Sequence, residues 1–141
     1  MTDPYNLQRF VDAQKTVYDR ACSELRQGRK TSHWMWFIFP QLKGLGSSET
    51  AQRFAISSIE EAEAFLAHPT LGPRLNECAE LVALVEGQTA SEIFGYPDDL
   101  KFRSCMTLFA HATSENAVFR QALNKYFSGE FDPATLKLLQ Q

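Results

Sequence analysis

Apolar residues recur at helical spacing along most of the chain, and capping residues mark where each run begins and ends. In the first run Leu7, Phe10, Val11, Gln14, Val17, Tyr18, Ala21 and Leu25 share one face. Asn6 can cap its start and Gly28 can close its end in the left-handed conformation. The spacing therefore predicts one amphipathic helix of about five turns. Ser47 or Ser48 can cap a helix over residues 49–55. Ser58 and Glu61 stand at capping-box spacing before EAEAFLAH, and Pro69 follows that run. Thr70 caps a helix with a Leu75, Cys78, Leu81, Val82 and Val85 stripe that Gly87 ends. Thr89 and Glu92 form a second capping-box pair before a short Ile93-Phe94-Gly95 segment. Pro97 and Asp98 open a helix with Phe102, Cys105, Met106 and Phe109 along one side. Ser114 caps the next, with Val118, Phe119, Ala122, Leu123, Tyr126 and Phe127 inward and Gly129 as terminator. Asp132-Pro133 is a cap and first-turn pair for a last helix over 134–139.

Strand signals are weak. No alternating run of useful length occurs, and there is no Asn-Gly or Asp-Gly hairpin. The pattern predicts an all-α (mainly α) fold of seven or eight helices in one domain over 1–141, without repeats or linkers. One stretch stays open: Trp34 to Phe39 is six large apolar residues, too short for periodicity to separate a buried strand from one turn of helix. The conformation of 33–40 is therefore undecided from the sequence.

Aromatic residues make up 12% of the chain, eleven of them phenylalanine, so the core should be built from large rings. At 141 residues the chain can bury roughly two thirds of its unfolded surface without disulfides or metals. Cys22, Cys78 and Cys105 are odd in number, scattered, and never in a CxxC pair, which argues against a disulfide framework or a zinc site. His33, His68 and His111 are equally scattered. No metal or other cofactor is expected. The longest apolar run is far too short to span a bilayer and residues 1–7 carry no signal core, so no membrane role and a cytoplasmic location are the expectations.

Charge changes the picture more. Between Leu25 and Ser48 there is no acid, while Arg26, Arg29, Lys30 and Lys43 give +4; with a total of −3 the remainder is −7. A basic island in an acidic chain points to one local anionic partner, not to an extended nucleic-acid surface. Solvated cations at a helix C-terminus are the plain alternative for Arg26, Arg29 and Lys30.

Three constellations can carry chemistry. Lys43-Gly44-Leu45-Gly46-Ser47-Ser48 precedes a helix: its glycines permit positive φ, so backbone amides can converge on an anion, with Lys43, the serine hydroxyls and Arg53 beyond as donors. A turn with an ordinary serine cap explains the same residues. Trp34 and Trp36, with Gln41 just beyond, can hold a flat ring by stacking, and His33 beside them can donate a proton to a leaving base. Plain core is the alternative, above all for Phe37, Ile38 and Phe39. Asp98, Asp99, Lys101 and Ser104 share the start of a helix, where a carboxylate near a lysine and a hydroxyl can activate water. A cap with a surface ion pair is the alternative there.

Three blocks together carry a resemblance: HWMWFIFPQLKGLGSS (33–48), HPTLGPRL (68–75) and IFGYPDDLKFRSCMTLF (93–109). The chain resembles the DUF1810 family, whose members sometimes carry the label calpastatin, over nearly its whole length. That resemblance implies a mostly helical single domain and no settled activity. Calpastatin itself is a disordered, low-complexity chain, unlike this ring-rich and well-capped sequence. A more distant similarity to NADAR (YbiA-like) domains, around Met106, Phe109, Phe119, Leu123 and Phe127, implies action on ADP-ribose derivatives.

The expectation is then a helical protein that binds or hydrolyses a nucleotide or ADP-ribose-like phosphorylated small molecule. N-glycosidic hydrolysis is favoured, with Asp98 or Asp99 stabilising oxocarbenium character or activating water. The alternatives are a non-catalytic ligand- or protein-binding module and a structural interaction protein with exposed tryptophans.

Overall fold

Among the described residues nine helices surround one that is buried along most of its length. The computed structural model describes residues 2–140. Its elements are α1 (Gln8–Gln14), α2 (Tyr18–Arg26), α3 (Met35–Ile38), α4 (Glu49–Arg53), α5 (Ile59–Ala67), α6 (Leu71–Leu84), α7 (Ala90–Phe94), α8 (Asp98–Ala112), α9 (Ala117–Phe127) and α10 (Pro133–Leu139). No β-strand occurs among the described residues. A single parallel bridge joins Leu42 to Ile56, where the Lys43 amide donates to the Ile56 carbonyl at 2.8 Å and the Ile56 amide to the Gln41 carbonyl at 2.9 Å. This bridge closes the loop that carries α4.

The central helix is α8, which packs against α5, α7, α9 and α10. Phe102 and every residue from Ser104 to Ala110 are buried on it. Around it the predicted ring core assembles: Phe10 meets Phe65 edge-on at 5.1 Å, Phe65 meets Phe109 at 5.3 Å, and Phe102 stacks on Phe94 at 4.8 Å. Each such buried ring is worth roughly 1.5–3 kcal/mol. Gly72 lets α6 cross α5 closely, since a Cβ there would stand 2.1 Å from the Leu66 carbonyl oxygen.

The helix signals hold at most ends. Ser48, Ser58 and Asp132 accept from the amides of Ala51, Glu61 and Thr135, and Thr89 and Glu92 make a reciprocal capping box. Gly28 closes α2 with φ 74°. The open segment resolves as the single helical turn α3. It and a break in the first helix account for ten helices in place of seven or eight.

That break falls at residues 15–17. β-Branched Thr16 and Val17 weaken the helix there, and buried Gln14 turns its side chain to donate to the Phe37 carbonyl at 2.8 Å. Three cap assignments are corrected. Asp3, not Asn6, receives the Leu7 and Gln8 amides. The His68 ring, not Thr70, receives the Thr70 and Leu71 amides. Ser114 caps nothing: α9 begins after Asn116, and Thr113 accepts the Glu115 amide. No described helix is long and apolar enough to cross a membrane.

Candidate functional site

Glu24 organises the segment that leads into the site. It lies one turn beyond Ala21 on the buried side of α2 and is only 7% exposed. One of its oxygens accepts the Thr31 amide at 2.8 Å, the Ser32 amide at 3.1 Å and the Trp34 indole N–H at 2.9 Å. The other accepts the Ser32 hydroxyl at 2.5 Å. Burial pushes this carboxyl up, but the four donors outweigh it and hold Glu24 down to about 2. The clamp fixes Trp34, which is completely enclosed, its ring near Phe39 and under the Lys30 ammonium at 5.4 Å. Trp34 therefore offers no face to a ligand, which corrects its assignment as a stacking residue.

Trp36 differs. It is half-buried, and its indole N–H is buried without an acceptor among the described residues. Together with Phe39, Gln41, Gly46, Phe54 and Lys101 it lines a recess of about 10 Å³, room for about one water. The Lys101 ammonium lies over the indole at 5.5 Å from the ring centroid, so a base stacking on that face would displace a cation.

Lys101, Gln41 and Gly46 also line an open cleft of about 420 Å³ beside the recess. Ser47, Ser48 and Ser104 add hydroxyls to its wall, and Leu45, Pro97 and Leu100 add an apolar side. Two stretches far apart in the sequence, 41–48 and 97–104, thus face each other. Gly46 is required here by close approach and not by the sign of φ: a Cβ would stand 2.5 Å from the Ala51 Cβ.

Several predicted residues lie elsewhere. Lys43 turns into a groove with Ser57, Ser58 and Leu138, and Gly44, with φ 106°, packs near Leu138. Arg53 borders a groove with Arg9 and Asp12 and stacks on its neighbour Phe54. His33 is exposed and lines neither the cleft nor the recess. The basic island is likewise divided: Arg26 pairs loosely with Glu77 at 4.0 Å, while Lys30 reaches Asp98 at 2.8 Å. Compactness in sequence did not become compactness in space. With Lys43 and Gly44 turned away, the loop supplies the cleft with Leu45, Gly46 and two serines, and with no cation. The five-residue α4 is also too short to add much of a dipole.

The carboxylates on α8 are already engaged. Asp98 puts one oxygen on Lys30 and the other on Lys101 at 3.4 Å. Asp99 accepts its neighbour's amide, Leu100, at 2.9 Å. Neither borders the cleft. Ser104 donates toward the Leu100 carbonyl and the Asp132 carboxylate, both at 3.1 Å, which leaves its lone pairs free. Asp132 does border the cleft but is held by Ser104 and by the amide and hydroxyl of Thr135. Sequence reasoning assigned Asp132 only as a cap. It counted Leu45 only through its backbone amide and missed Ala51, Pro97, Leu100 and Ala134 as cleft wall, since nothing local marks an apolar residue as such.

Residues 4–139 match the family described as Protein of unknown function (DUF1810). The chain belongs to this family. The DUF1810 match spans both sides of the cleft and the Glu24 clamp. In structure the chain is similar to the conserved hypothetical protein Rv1873 from Mycobacterium tuberculosis, solved by crystallography at 1.38 Å. The two are 57% identical, with a TM-score of 0.97 and 99% of each chain covered. No curated protein sequence matches the chain. None of these matches is to a NADAR domain.

Proposed function

We propose that this DUF1810 protein binds a small phosphorylated compound of the nucleotide or ADP-ribose class in the cleft between the 41–48 loop and α8. The supporting observation is that Lys101, Gln41 and the serines at 47, 48 and 104 border a single opening of about 420 Å³ that also has an apolar side. Ligand clefts of roughly 300–1,000 Å³ combine an apolar wall with a few convergent polar groups in this way. Lys101 supplies the charge for a phosphate and the serines and Gln41 supply hydrogen bonds. Leu45, Pro97 and Leu100 carry the ring.

Binding without turnover is the reading the contacts favour, because Asp98 is shared between two lysines and Asp99 is turned to its own backbone. N-glycosidic hydrolysis requires one of them to leave these partners and reach the cleft. The test is a thermal-shift and calorimetric panel of AMP, ADP, ADP-ribose, adenosine and inorganic phosphate, with product analysis by chromatography. A phosphorylated nucleoside should raise Tm more than adenosine or phosphate alone, and Lys101→Ala should weaken it about 10- to 100-fold, as expected for a lost charged hydrogen bond. No shift with any phosphorylated compound would remove the proposal. Release of a free base would restore hydrolysis.

A further inference from the structure

Cys22 on α2 and Cys78 on α6 are far apart in sequence, yet their sulfurs lie 4.0 Å apart in the contact between the two helices. Both are buried, Cys78 completely and Cys22 with 3% of its surface exposed. Half-buried Tyr18 adjoins it, and exposed Glu77 and Arg26 stand over it, the Glu77 carboxylate 3.7 Å from the Cys22 sulfur. Arg74 stacks on the Tyr18 ring at 4.4 Å. Cys105 is fully enclosed on α8 and has no sulfur partner among the described residues.

We propose that Cys22 and Cys78 are a hydroperoxide-sensitive thiol pair that closes into a disulfide between α2 and α6, with Cys22 as the attacking sulfur. In the first step the Cys22 thiolate attacks one peroxide oxygen and the O–O bond breaks. Cys22 becomes a sulfenic acid, and the second oxygen leaves as hydroxide and takes a proton to become water. In the second step Cys78 gives up its proton and attacks the Cys22 sulfur, forming the S–S bond and expelling a second water. The two thiols are oxidised by two electrons and one hydroperoxide is reduced. The sulfurs have to close by roughly 2 Å to reach bonding distance.

The division of roles follows from the surroundings. The Cys78 S–H beside Cys22 lowers the Cys22 thiol below its ordinary value against the effect of burial, and the Tyr18 hydroxyl and Arg26 act in the same direction while Glu77 opposes them. The same interaction, with burial, pushes the Cys78 thiol up, and burial alone pushes Cys105 up. A thiolate is the nucleophile in such oxidations, so Cys22 reacts first and Cys78 resolves.

The test treats the native full chain with hydrogen peroxide, then denatures and alkylates it for intact mass and peptide mapping. The expected product has lost two hydrogens, keeps one alkylatable thiol at Cys105, and contains a Cys22–Cys78 cross-linked peptide. In Cys78→Ser, a sulfenic acid should persist on Cys22 and be trapped by dimedone. Retention of three free thiols, or a cross-link through Cys105, overturns the proposal. So does a sulfenic acid forming on Cys78 of Cys22→Ser as fast as cross-linking in the wild type. Because either variant can fold poorly, the wild-type rate of thiol loss is followed against pH as well. A midpoint clearly below the ordinary thiol value of 9 supports Cys22 as nucleophile, and one at or above it contradicts the proposal.

Discussion

Trp34 and Trp36 are two residues apart, the first the N-cap of α3 and the second inside its turn, yet they belong to different parts of the molecule. Trp34 is enclosed, with its N–H on a buried carboxylate; Trp36 is half-buried, with an unpartnered N–H and a lysine over its ring. Trp34 has a non-helical backbone at φ −141° while Trp36 lies within the turn, so one indole points to the core and the other toward the cleft side. The difference lies in the partners. Glu24 and Lys101 are brought in by α2 and α8, and neither is a sequence neighbour of α3.

The sharpest way to break this contrast is at Glu24. Glu24→Ala leaves the buried Trp34 N–H and the partly buried Thr31 and Ser32 amides without this acceptor, and should cost about 3–5 kcal/mol by urea denaturation. A cost under about 1 kcal/mol would mean that Trp34 is not held as described.

Acid should act through the same carboxylate. Its pKa falls from the ordinary 4.5 to about 2 on folding, so its contribution is complete above pH 4.5 and is lost as pH drops from there toward 2. That contribution is about 3 kcal/mol at neutral pH. Glu24→Gln should flatten the acid limb of the stability profile. Exposed Asp3 and Asp12, held low chiefly by the Gln8 amide and the Gln8 side chain respectively, leave a residual slope of the same sign.

Trp36→Phe should be milder, below about 1 kcal/mol, because the lost N–H has no partner to abandon. Smallest of all, Lys43→Ala and Arg53→Ala should leave ligand affinity within about twofold, since both side chains border other grooves. An effect as large as that of Lys101→Ala would move the binding site to the loop itself.

What was legible from the sequence is what is local. Ser48, Ser58, Thr89 and Asp132 cap helices because a hydroxyl or carboxylate reaches an amide two or three residues on, and Gly28 ends α2 because it alone needs no Cβ. The His68 cap was missed because its ring takes a place usually filled by a smaller side chain. The split between α1 and α2 was missed because Gln14 is drawn off by Phe37, a partner 23 residues away. The site was half legible for the same reason. Gly46, Ser47, Ser48, Lys101 and Ser104 face one cleft, but only the packing of α8 could show that they meet. Glu24 did leave a trace, as an acid one turn from Ala21 on an apolar face.

Fluorescence tests the contrast most directly, since the protein has only two tryptophans. Titrating the phosphorylated nucleoside that binds in the calorimetric panel should alter wild-type emission as Lys101 shifts over the Trp36 ring. In Trp36→Phe the remaining Trp34 should stay silent while calorimetry still records binding. An emission change that survives in Trp36→Phe would place the ligand against the enclosed indole and contradict the account.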